Sequence, residues 1–246
     1  MVGSKRVQVI MHPLHNVIWQ ALTTRQQRFA EVYDAARRFE REVTSLSAFA
    51  EPNPQGYKSL AGLLGPGGTA GLLLDAPFEP REAWELIGGA PLLQMVCESS
   101  VSNLSDGRDH GLDIIELGPQ DSPEMVELAT LTKPGPFGSR THELGTYLGI
   151  RCEGKLVAMA GERLKVPGYT EVSAVCTHPD YLGRGYAGIL MTEVMRRILA
   201  RGEATFLHVR QDNLRAIALY ERIGFRERVR PHFAVLRRCA ERELHE

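Results

Sequence analysis

The chain has 246 residues, enough for one large domain or two small ones, and its 43% apolar and 24% charged composition is that of an ordinary globular protein. Its formal net charge of −1 argues against a nucleic-acid partner, and it has neither an apolar run near the roughly 18 residues of a membrane span nor a signal-peptide core, so we expect no membrane partner. Four scattered cysteines (Cys97, Cys152, Cys176 and Cys239) lack metal-ligand or disulfide spacing, which predicts no metal site and a reducing, cytoplasmic location.

The first 110 residues carry short and mixed patterns. Residues 13–22 predict a helix with Trp19 on its apolar side, and residues 29–39 fit either a helix or a strand. Weaker patterns predict helices over 60–64 and 80–86 and strands over 71–75 and 91–97. The polar, turn-rich residues 98–111 predict a linker, which places a domain boundary near residue 110.

The second part of the chain gives clearer signals. A helix is predicted over 121–131, with Asp121 or Ser122 as its N-cap and Pro123 in its first turn. Residues 133–139 predict an irregular loop, and Glu153 and Gly154 predict a hairpin turn. Strands are predicted over 113–117, 145–152, 155–164, 171–177, 206–209 and 229–236.

The segment 177–187 is the most informative part of the sequence. It follows the alternating strand over 171–177 and leads into an amphipathic helical pattern that begins at Ala187. Glycine lets backbone approach a ligand closely, and the first N–H groups of a helix have no intrahelical partner. This segment therefore predicts an anion site for a phosphate-bearing ligand.

Two common phosphate motifs do not fit this segment. A Walker loop requires Lys and then Ser or Thr after its last glycine, and neither follows Gly185. Gly183, Gly185 and Gly188 match the spacing of a dinucleotide-binding fingerprint, but the preceding strand alternates with polar residues. A central dinucleotide-fold strand is buried on both faces and should be apolar throughout.

A second motif follows the strand over 206–209. Asp212 or Asn213 begins a predicted helix on which Asn213, Ala216 and Tyr220 are three and four residues apart and so share one face. Gly224 stands where a helix end favours a left-handed residue.

Together these motifs, V-x-T-H-P-x-x-x-G-R-G-x-A and N-x-x-A-x-x-x-Y-x-x-x-G-F, resemble the GNAT superfamily of CoA-dependent N-acyltransferases. The resemblance covers residues from about 112 to 238. It implies an α/β (α+β) fold, with a mixed, mostly antiparallel twisted sheet flanked by helices. Residues 111–246 would form the catalytic N-acetyltransferase domain, and residues 1–110 a degenerate GNAT-like domain like that of glycine-acyltransferase-like members.

The resemblance also implies the cofactor contacts. The CoA pyrophosphate would lie on the backbone of the loop and helix start, formed by Gly183, Arg184, Gly185, Tyr186 and Ala187. Leu182 departs from the family pattern, which has Gln or Arg there and so one more side-chain contact. The pantetheine arm would bind strand backbone where this strand diverges from the strand over 206–209; the contributing residues are Val175, Cys176 and Thr177.

Three assignments within this site leave alternatives open. Strand alternation places Cys176 on the same face as Val172 and Ala174, so it is interpreted as a buried residue and not as a reactive thiol. Asn213 either touches the CoA arm or caps its helix, a role that Asp212 fits equally, and Ala216 lies on the same helix face. Tyr220 resembles the family's general acid for the departing thiolate, and the alternative is a packed core tyrosine.

Amine acylation also needs a base, since an ammonium ion has no lone pair. Glu171, at the start of the strand that leads into the loop, is the candidate, with His142 and Glu143 as alternatives.

The predicted function is transfer of an acetyl group from acetyl-CoA to a primary amine of a small molecule or peptide, by direct attack in a ternary complex. An O-acyltransferase, an amino-acid N-acyltransferase or a CoA-binding sensor without turnover are the alternatives. The oligomeric state, a homodimer included, is left open.

Overall fold

The computed structural model describes residues 12–98 and 112–239. Within these ranges the helices are α1 (Val17–Thr23), α2 (Pro54–Leu64), α3 (Ser122–Thr132), α4 (Tyr186–Ala200) and α5 (Leu214–Ile223). The first strands are β1 (Ala30–Tyr33), β2 (Ala36–Phe39), β3 (Ser47–Phe49), β4 (Thr69–Leu74), β5 (Trp84–Cys97) and β6 (Ile114–Leu117). They are followed by β7 (Tyr147–Cys152), β8 (Lys155–Val166), β9 (Tyr169–Thr177), β10 (Ala204–Arg210), β11 (Arg226–Val229) and β12 (His232–Arg238).

The described strands form two sheets. Strands β1, β2 and β3 form a small antiparallel sheet, and the other nine form one sheet in the order β4-β12-β5-β10-β9-β8-β7-β6, with β11 also paired to β5. In the large sheet the β9–β10 pair is parallel and the other described pairs are antiparallel. The mixed, mostly antiparallel sheet flanked by helices confirms the predicted fold class.

Strands β9 and β10 separate partway along their length. Their pairing ends at Phe206 opposite Glu171, whereas β9 continues to Thr177 and β10 to Arg210. Backbone beyond this fork has no partner across the gap in the sheet, so a ligand can bind between the two strands. The predicted divergence of these strands is therefore present.

A β-bulge in β9 changes which side chains share a face. Gly161 of β8 stands opposite Ser173, but Met159 stands opposite Cys176, so Ala174 and Val175 together oppose one residue. Ala174 has a left-handed φ of 52°. Because the extra residue reverses the alternation, Val172 packs under α4 while Ala174 and Cys176 pack against α3. The prediction that these three side chains share a face was wrong.

Helices cover both faces of the sheet beside the fork. Helix α4 buries a stripe of apolar side chains against β7 to β10. This stripe consists of Leu190, Met191, Val194, Met195 and Ile198. Helix α3 packs Met125 and Leu128 against the opposite face, and α1 packs against β8 through a cluster that includes Leu164 and Val166. The fork is thereby held between packed layers.

In the first part of the chain, short sequence patterns predicted the helices only in part. The helix over 13–22 is shorter as α1, the helix over 60–64 is the end of α2, and residues 29–39 form a 3-10 turn and the β1–β2 hairpin. The helix predicted over 80–86 was wrong, because residues from Trp84 onward belong to β5 and pair with β12. Most of the predicted linker, residues 99–111, lies outside the described residues.

Strand β5 joins the two predicted halves of the chain. Its first part pairs with β12 and its second part with β10, so residues before the linker lie inside the large sheet. The buried clusters also mix residues from both sides of residue 110. The division into residues 1–110 and 111–246 stays a prediction, with continuous packing across it.

Candidate active site

Two adjoining cavities lie at the fork between β9 and β10. The inner cavity, of about 480 Å³, lies between residues 132–136, the ends of β9 and β10, and part of β5. The loop groove, of about 420 Å³, lies between residues 181–188 and α5. Both cavities are lined by Val175, Cys176, Thr177, Asn213 and Tyr220. A ligand lying in the groove can therefore present one end to the inner cavity at these residues.

The loop groove has the backbone features of an anion site. Gly183 and Gly185 have left-handed φ values of 81° and 80°, which L side chains rarely adopt. The N–H of Ile189 donates to the carbonyl of Gly185 (3.1 Å), so the N–H groups of the first turn of α4 precede this helical bond. Gly185, the N-cap residue, has no side chain that could cap this end of α4. The free N–H groups and the helix dipole together favour a phosphate at this point.

Two arginines on α5 add positive charge to the same groove. Arg215 and Arg222 line it together with Leu219 between them, at helical spacing of four and three residues. Both arginines are exposed. The sequence prediction missed them, although their spacing on one face of a predicted helix was the available signal.

Asn213 caps α5. Its side-chain oxygen accepts a hydrogen bond from the N–H of Ala216 at 3.2 Å. Asp212 instead forms a two-bond ion pair with Arg210, with the shorter contact at 2.7 Å. The capping alternative for Asn213 is thus present in the structure, and the same side chain also lines both cavities.

Tyr220 lies where the two cavities meet. Its side chain is 9% exposed, packs near the ring of Phe225, and lines both cavities. Burial raises the pKa of the phenol to about 12. The group therefore stays protonated at neutral pH and can donate a hydrogen bond to a negatively charged atom at the junction.

Cys176 also lies at this junction, but it is not a reactive group. Burial raises the pKa of its thiol to about 11, so very little thiolate is present at neutral pH. This agrees with its interpretation as a buried residue.

Glu171 sits at the base of the fork with no exposed surface. Its two carboxylate oxygens accept hydrogen bonds from Nε and Nη2 of Arg163, both at 2.8 Å, and Oε1 lies 2.7 Å from Nδ1 of His208. Against the cost of burial, the Arg163 guanidinium and the hydrogen bonds lower the pKa of the carboxyl to about 2. A carboxylate with this pKa is a poor proton acceptor at neutral pH.

His208 also contacts Gln94, through its second ring nitrogen. Its Nε2 lies 3.1 Å from the amide nitrogen of Gln94, whose Oε1 accepts from Nη1 of Arg228 at 2.8 Å. Because the contact with Arg228 fixes the amide orientation, Gln94 presents its NH₂ group to His208. Nε2 must therefore be the accepting nitrogen, and Nδ1 carries the proton that bonds to Glu171.

Comparisons with known proteins identify the family. The FR47-like protein family model matches residues 147–234. A crystal structure of a GNAT family protein from Novosphingobium aromaticivorans is 37% identical, with a TM-score of 0.85, and the match covers 94% of this chain and 100% of that one. The chain belongs to the GNAT family of acetyltransferases.

Two further relatives are more distant. The N-alpha-acetyltransferase RimI of Mycobacterium tuberculosis is 38% identical over 99 residues, which are 37% of this chain and 61% of RimI. The chain thus spans less than two thirds of that relative. A GCN5-related N-acetyltransferase from Kribbella flavida is 15% identical, with a TM-score of 0.60. The match covers 93% of this chain and 95% of that protein, and it shows the GNAT fold alone.

The GNAT fold brings together most of the predicted site residues. The loop glycines, Tyr186, Ala187 and Ala216 line the groove, and the β9 residues, Asn213 and Tyr220 line both cavities. Arg184 lies beside the groove with its guanidinium 4.8 Å from the ring centre of Tyr181. Of the residues considered as base, Glu143 is paired with Arg140, and neither it nor His142 lines either cavity.

The sequence prediction missed Arg163 and His208, which line the inner cavity. Each lies in a predicted strand, and nothing in the local pattern indicates that the two strands meet at Glu171.

Within the described residues, no group of three or more His, Cys, Asp or Glu side chains could hold a metal ion. In the same ranges, every helix is too short or too polar to span a bilayer.

Proposed function

We propose that this GNAT chain transfers an acetyl group from acetyl-CoA to a primary amine of a small molecule or peptide, by direct attack in a ternary complex. The observation that carries the proposal is the position of Tyr220 at the junction of the two cavities, with a buried phenol whose pKa is about 12. One cavity suits a phosphate-bearing cofactor, the other suits an acceptor, and a proton donor stands between them.

The loop groove fits acetyl-CoA, which supplies an activated thioester when bound. The backbone of Gly183, Arg184, Gly185, Tyr186 and Ala187 would hold the pyrophosphate. Leu182 is 53% exposed and offers no polar contact, but Arg215 and Arg222 supply charge on the opposite side of the groove. The pantetheine arm would follow the open backbone of Val175, Cys176 and Thr177 through the fork.

Tyr220 would stabilise the leaving group. The nitrogen–carbon bond forms as the carbon–sulfur bond breaks, and the phenol donates a hydrogen bond to the sulfur that leaves as a thiolate. A charge-assisted hydrogen bond of this kind is among the stronger ones in proteins. The bulge at Ala174 lets backbone N–H groups near Val175 polarise the carbonyl oxygen, a contribution of roughly 3 kcal/mol.

We propose His208, in place of Glu171, as the acceptor of the amine proton. His208 lines the inner cavity, and histidine is the side-chain type that exchanges protons near neutral pH. Its Nε2 holds the accepting lone pair, so the incoming amine, or a water bound to it, has to displace the Gln94 amide. Glu171 then acts as a positioning residue, which holds the ring at Nδ1 and stabilises its positive charge.

The wider organisation remains part of the proposal. Strands β4 and β5 extend the large sheet with residues of the first half, which supports a glycine-acyltransferase-like arrangement of residues 1–110 and 111–246. All four cysteines are free, which supports a reducing, cytoplasmic location.

Calorimetry with acetyl-CoA tests the cofactor site. Wild type should bind with a Kd of about micromolar order, roughly −8 kcal/mol. Gly185→Glu should abolish binding, because it strains a left-handed backbone position and puts a carboxylate in the loop groove where the pyrophosphate would bind. Gly168→Glu is the matched control, since Gly168 has a φ of 78°, has open space at its Cβ position and lines neither cavity.

Release of free CoA thiol with a panel of amines tests the reaction. Binding without thiol release from any amine would favour the alternative of a CoA-binding sensor. Absence of acetyl-CoA binding in wild type would reject the cofactor site itself.

A further inference from the structure

The charged side chains that line the inner cavity have one sign. Lys133, Arg163 and Arg210 line it, and within the described residues no Asp or Glu does. Arg210 is neutralised by its ion pair with Asp212, and Glu171 accepts from only one side of the Arg163 guanidinium. The unpaired positive charge is therefore that of Lys133, while Arg163, whose charge Glu171 balances, keeps N–H donors free on its other side.

Arg163 presents one nitrogen with no protein partner. Its Nε and Nη2 bond to Glu171, whereas Nη1 has no hydrogen-bond acceptor in the described part of the chain. The residue is only 9% exposed, and Nη1 lies 3.4 Å from the position that a Cβ on Gly135 would take. Gly135 is part of the cavity wall, so this nitrogen is directed toward the cavity. Among the described residues, the buried side-chain atoms that lack a hydrogen-bond partner do not include Nη1, so this nitrogen is open to the cavity, where a ligand oxygen can accept a charge-assisted hydrogen bond from it.

Lys133 stands next to Gly135 on the same wall. It ends α3 in a left-handed conformation with a φ of 52°, and its exposed side chain forms no ion pair with the described residues. Lysine and arginine are the side chains whose donors bind carboxylate oxygens, and both Lys133 and Arg163 line this cavity.

We propose that the acceptor is an amine that also carries a carboxylate, as a free amino acid does. The carboxylate binds Nη1 of Arg163 and the ammonium of Lys133, and the amine faces the junction at Tyr220. A simple ammonium ion is repelled by this lining, whereas a zwitterion is not. The same positive field lowers the pKa of the bound amine, which assists its deprotonation. This inference rests on the proposed acyl transfer and names its acceptor class.

Matched acceptors test the inference on wild type. Alanine, alaninamide and ethylamine share an amine on a short carbon chain, and only alanine carries a carboxylate. With acetyl-CoA saturating, kcat/KM should favour alanine at least about tenfold, as loss of a charge-assisted hydrogen bond implies. The amide has the more acidic ammonium, so its larger free-base fraction works against the expected preference. The glycine, glycinamide and methylamine series repeats the comparison with a smaller side chain.

Variants test which residues cause the preference for alanine. Lys133→Glu should reduce alanine turnover at least about tenfold and leave ethylamine turnover equal or higher, because the new charge repels a carboxylate and attracts an ammonium. Lys155→Glu, at an exposed position of the β7–β8 hairpin outside both cavities, is the control for net charge. The pair Arg163→Gln with Glu171→Gln removes both buried charges together, which avoids leaving either one unpaired, and should also erase the preference.

Three outcomes are distinguishable. A preference for alanine that Lys133→Glu removes supports the inference. Equal or faster turnover of ethylamine or alaninamide overturns it and leaves acyl transfer standing. Thiol release from none of the amines, with acetyl-CoA bound, overturns both the acyl-transfer proposal and the inference.

Discussion

Nδ1 of His208 lies 2.7 Å from Oε1 of Glu171. His208 stands on β10 two residues beyond Phe206, where the pairing of β9 with β10 ends. The same carboxylate is held by two bonds from Arg163, which comes from β8. Three strands are thus tied together by one buried carboxylate at the base of the fork. The arrangement keeps the fork open at a fixed point and supplies the inner cavity with a histidine and an arginine.

Glu171→Gln should cost about 3 to 5 kcal/mol of unfolding free energy at neutral pH, because it leaves the buried Arg163 charge without its counterion. Denaturant unfolding measures this loss. Glu227→Gln is the control, since Glu227 forms a similar two-bond pair with Arg230 on the surface and should cost less than about 1 kcal/mol.

The pH dependence of stability tests the same group. The folded pKa of Glu171, about 2, lies below the ordinary value of 4.5, so the stabilisation is fully present above about pH 4.5. It is lost as the pH falls through the folded pKa near 2. The difference in stability between wild type and Glu171→Gln should therefore shrink between these values. A difference that stays constant down to pH 2 would contradict an ionised Glu171.

His208→Asn should lower kcat about 10² to 10⁴-fold, the usual contribution of a general base, with acetyl-CoA affinity unchanged. An asparagine amide can still donate to Glu171 but takes no proton, so the hydrogen bond is kept and the base is lost. The pH–rate profile separates a catalytic from a structural role. Activity of the variant should rise with pH up to the pKa of the free amine, because the substrate then arrives deprotonated. A uniform loss with an unchanged profile would assign His208 a structural role.

Tyr220→Phe should lower kcat about 10 to 100-fold and leave the Kd for acetyl-CoA within about twofold, because the hydroxyl acts on the departing sulfur and not on the bound cofactor. With a phenol pKa of about 12, wild type should show no loss of activity from this group below about pH 11. Tyr57→Phe, in a separate aromatic cluster with Phe49 and Trp84 outside both cavities, is the control. An unchanged kcat in Tyr220→Phe would remove the hydroxyl from the mechanism.

The parts of the site that the sequence predicted are those set by local backbone demands. Gly183 and Gly185 occupy left-handed positions, Asn213 caps α5 and Gly224 ends it, and each of these can be recognised from a few neighbouring residues. The amphipathic pattern of α4 is local in the same way.

The parts of the site and fold that the sequence did not predict depend on pairings between distant segments. The role of Glu171 is decided by Arg163 and His208, which lie on neighbouring strands of the sheet. The first residues of β5 are extended because β12 pairs with them, although their local pattern favours a short helix. The bulge at Ala174 follows from the register with β8, which no spacing within β9 indicates.

Arg215→Ala and Arg222→Ala should each weaken acetyl-CoA binding about three- to tenfold, since each removes one exposed positive charge from the groove. Both variants should also reduce the loss of affinity that added salt causes, because fewer charge contacts remain to be screened. Calorimetry at low and at high salt measures both effects. Arg41→Ala, an exposed arginine outside the groove, should change neither. Equal affinities for all three variants at low salt would mean that the backbone cradle at the start of α4 binds the cofactor without help from α5.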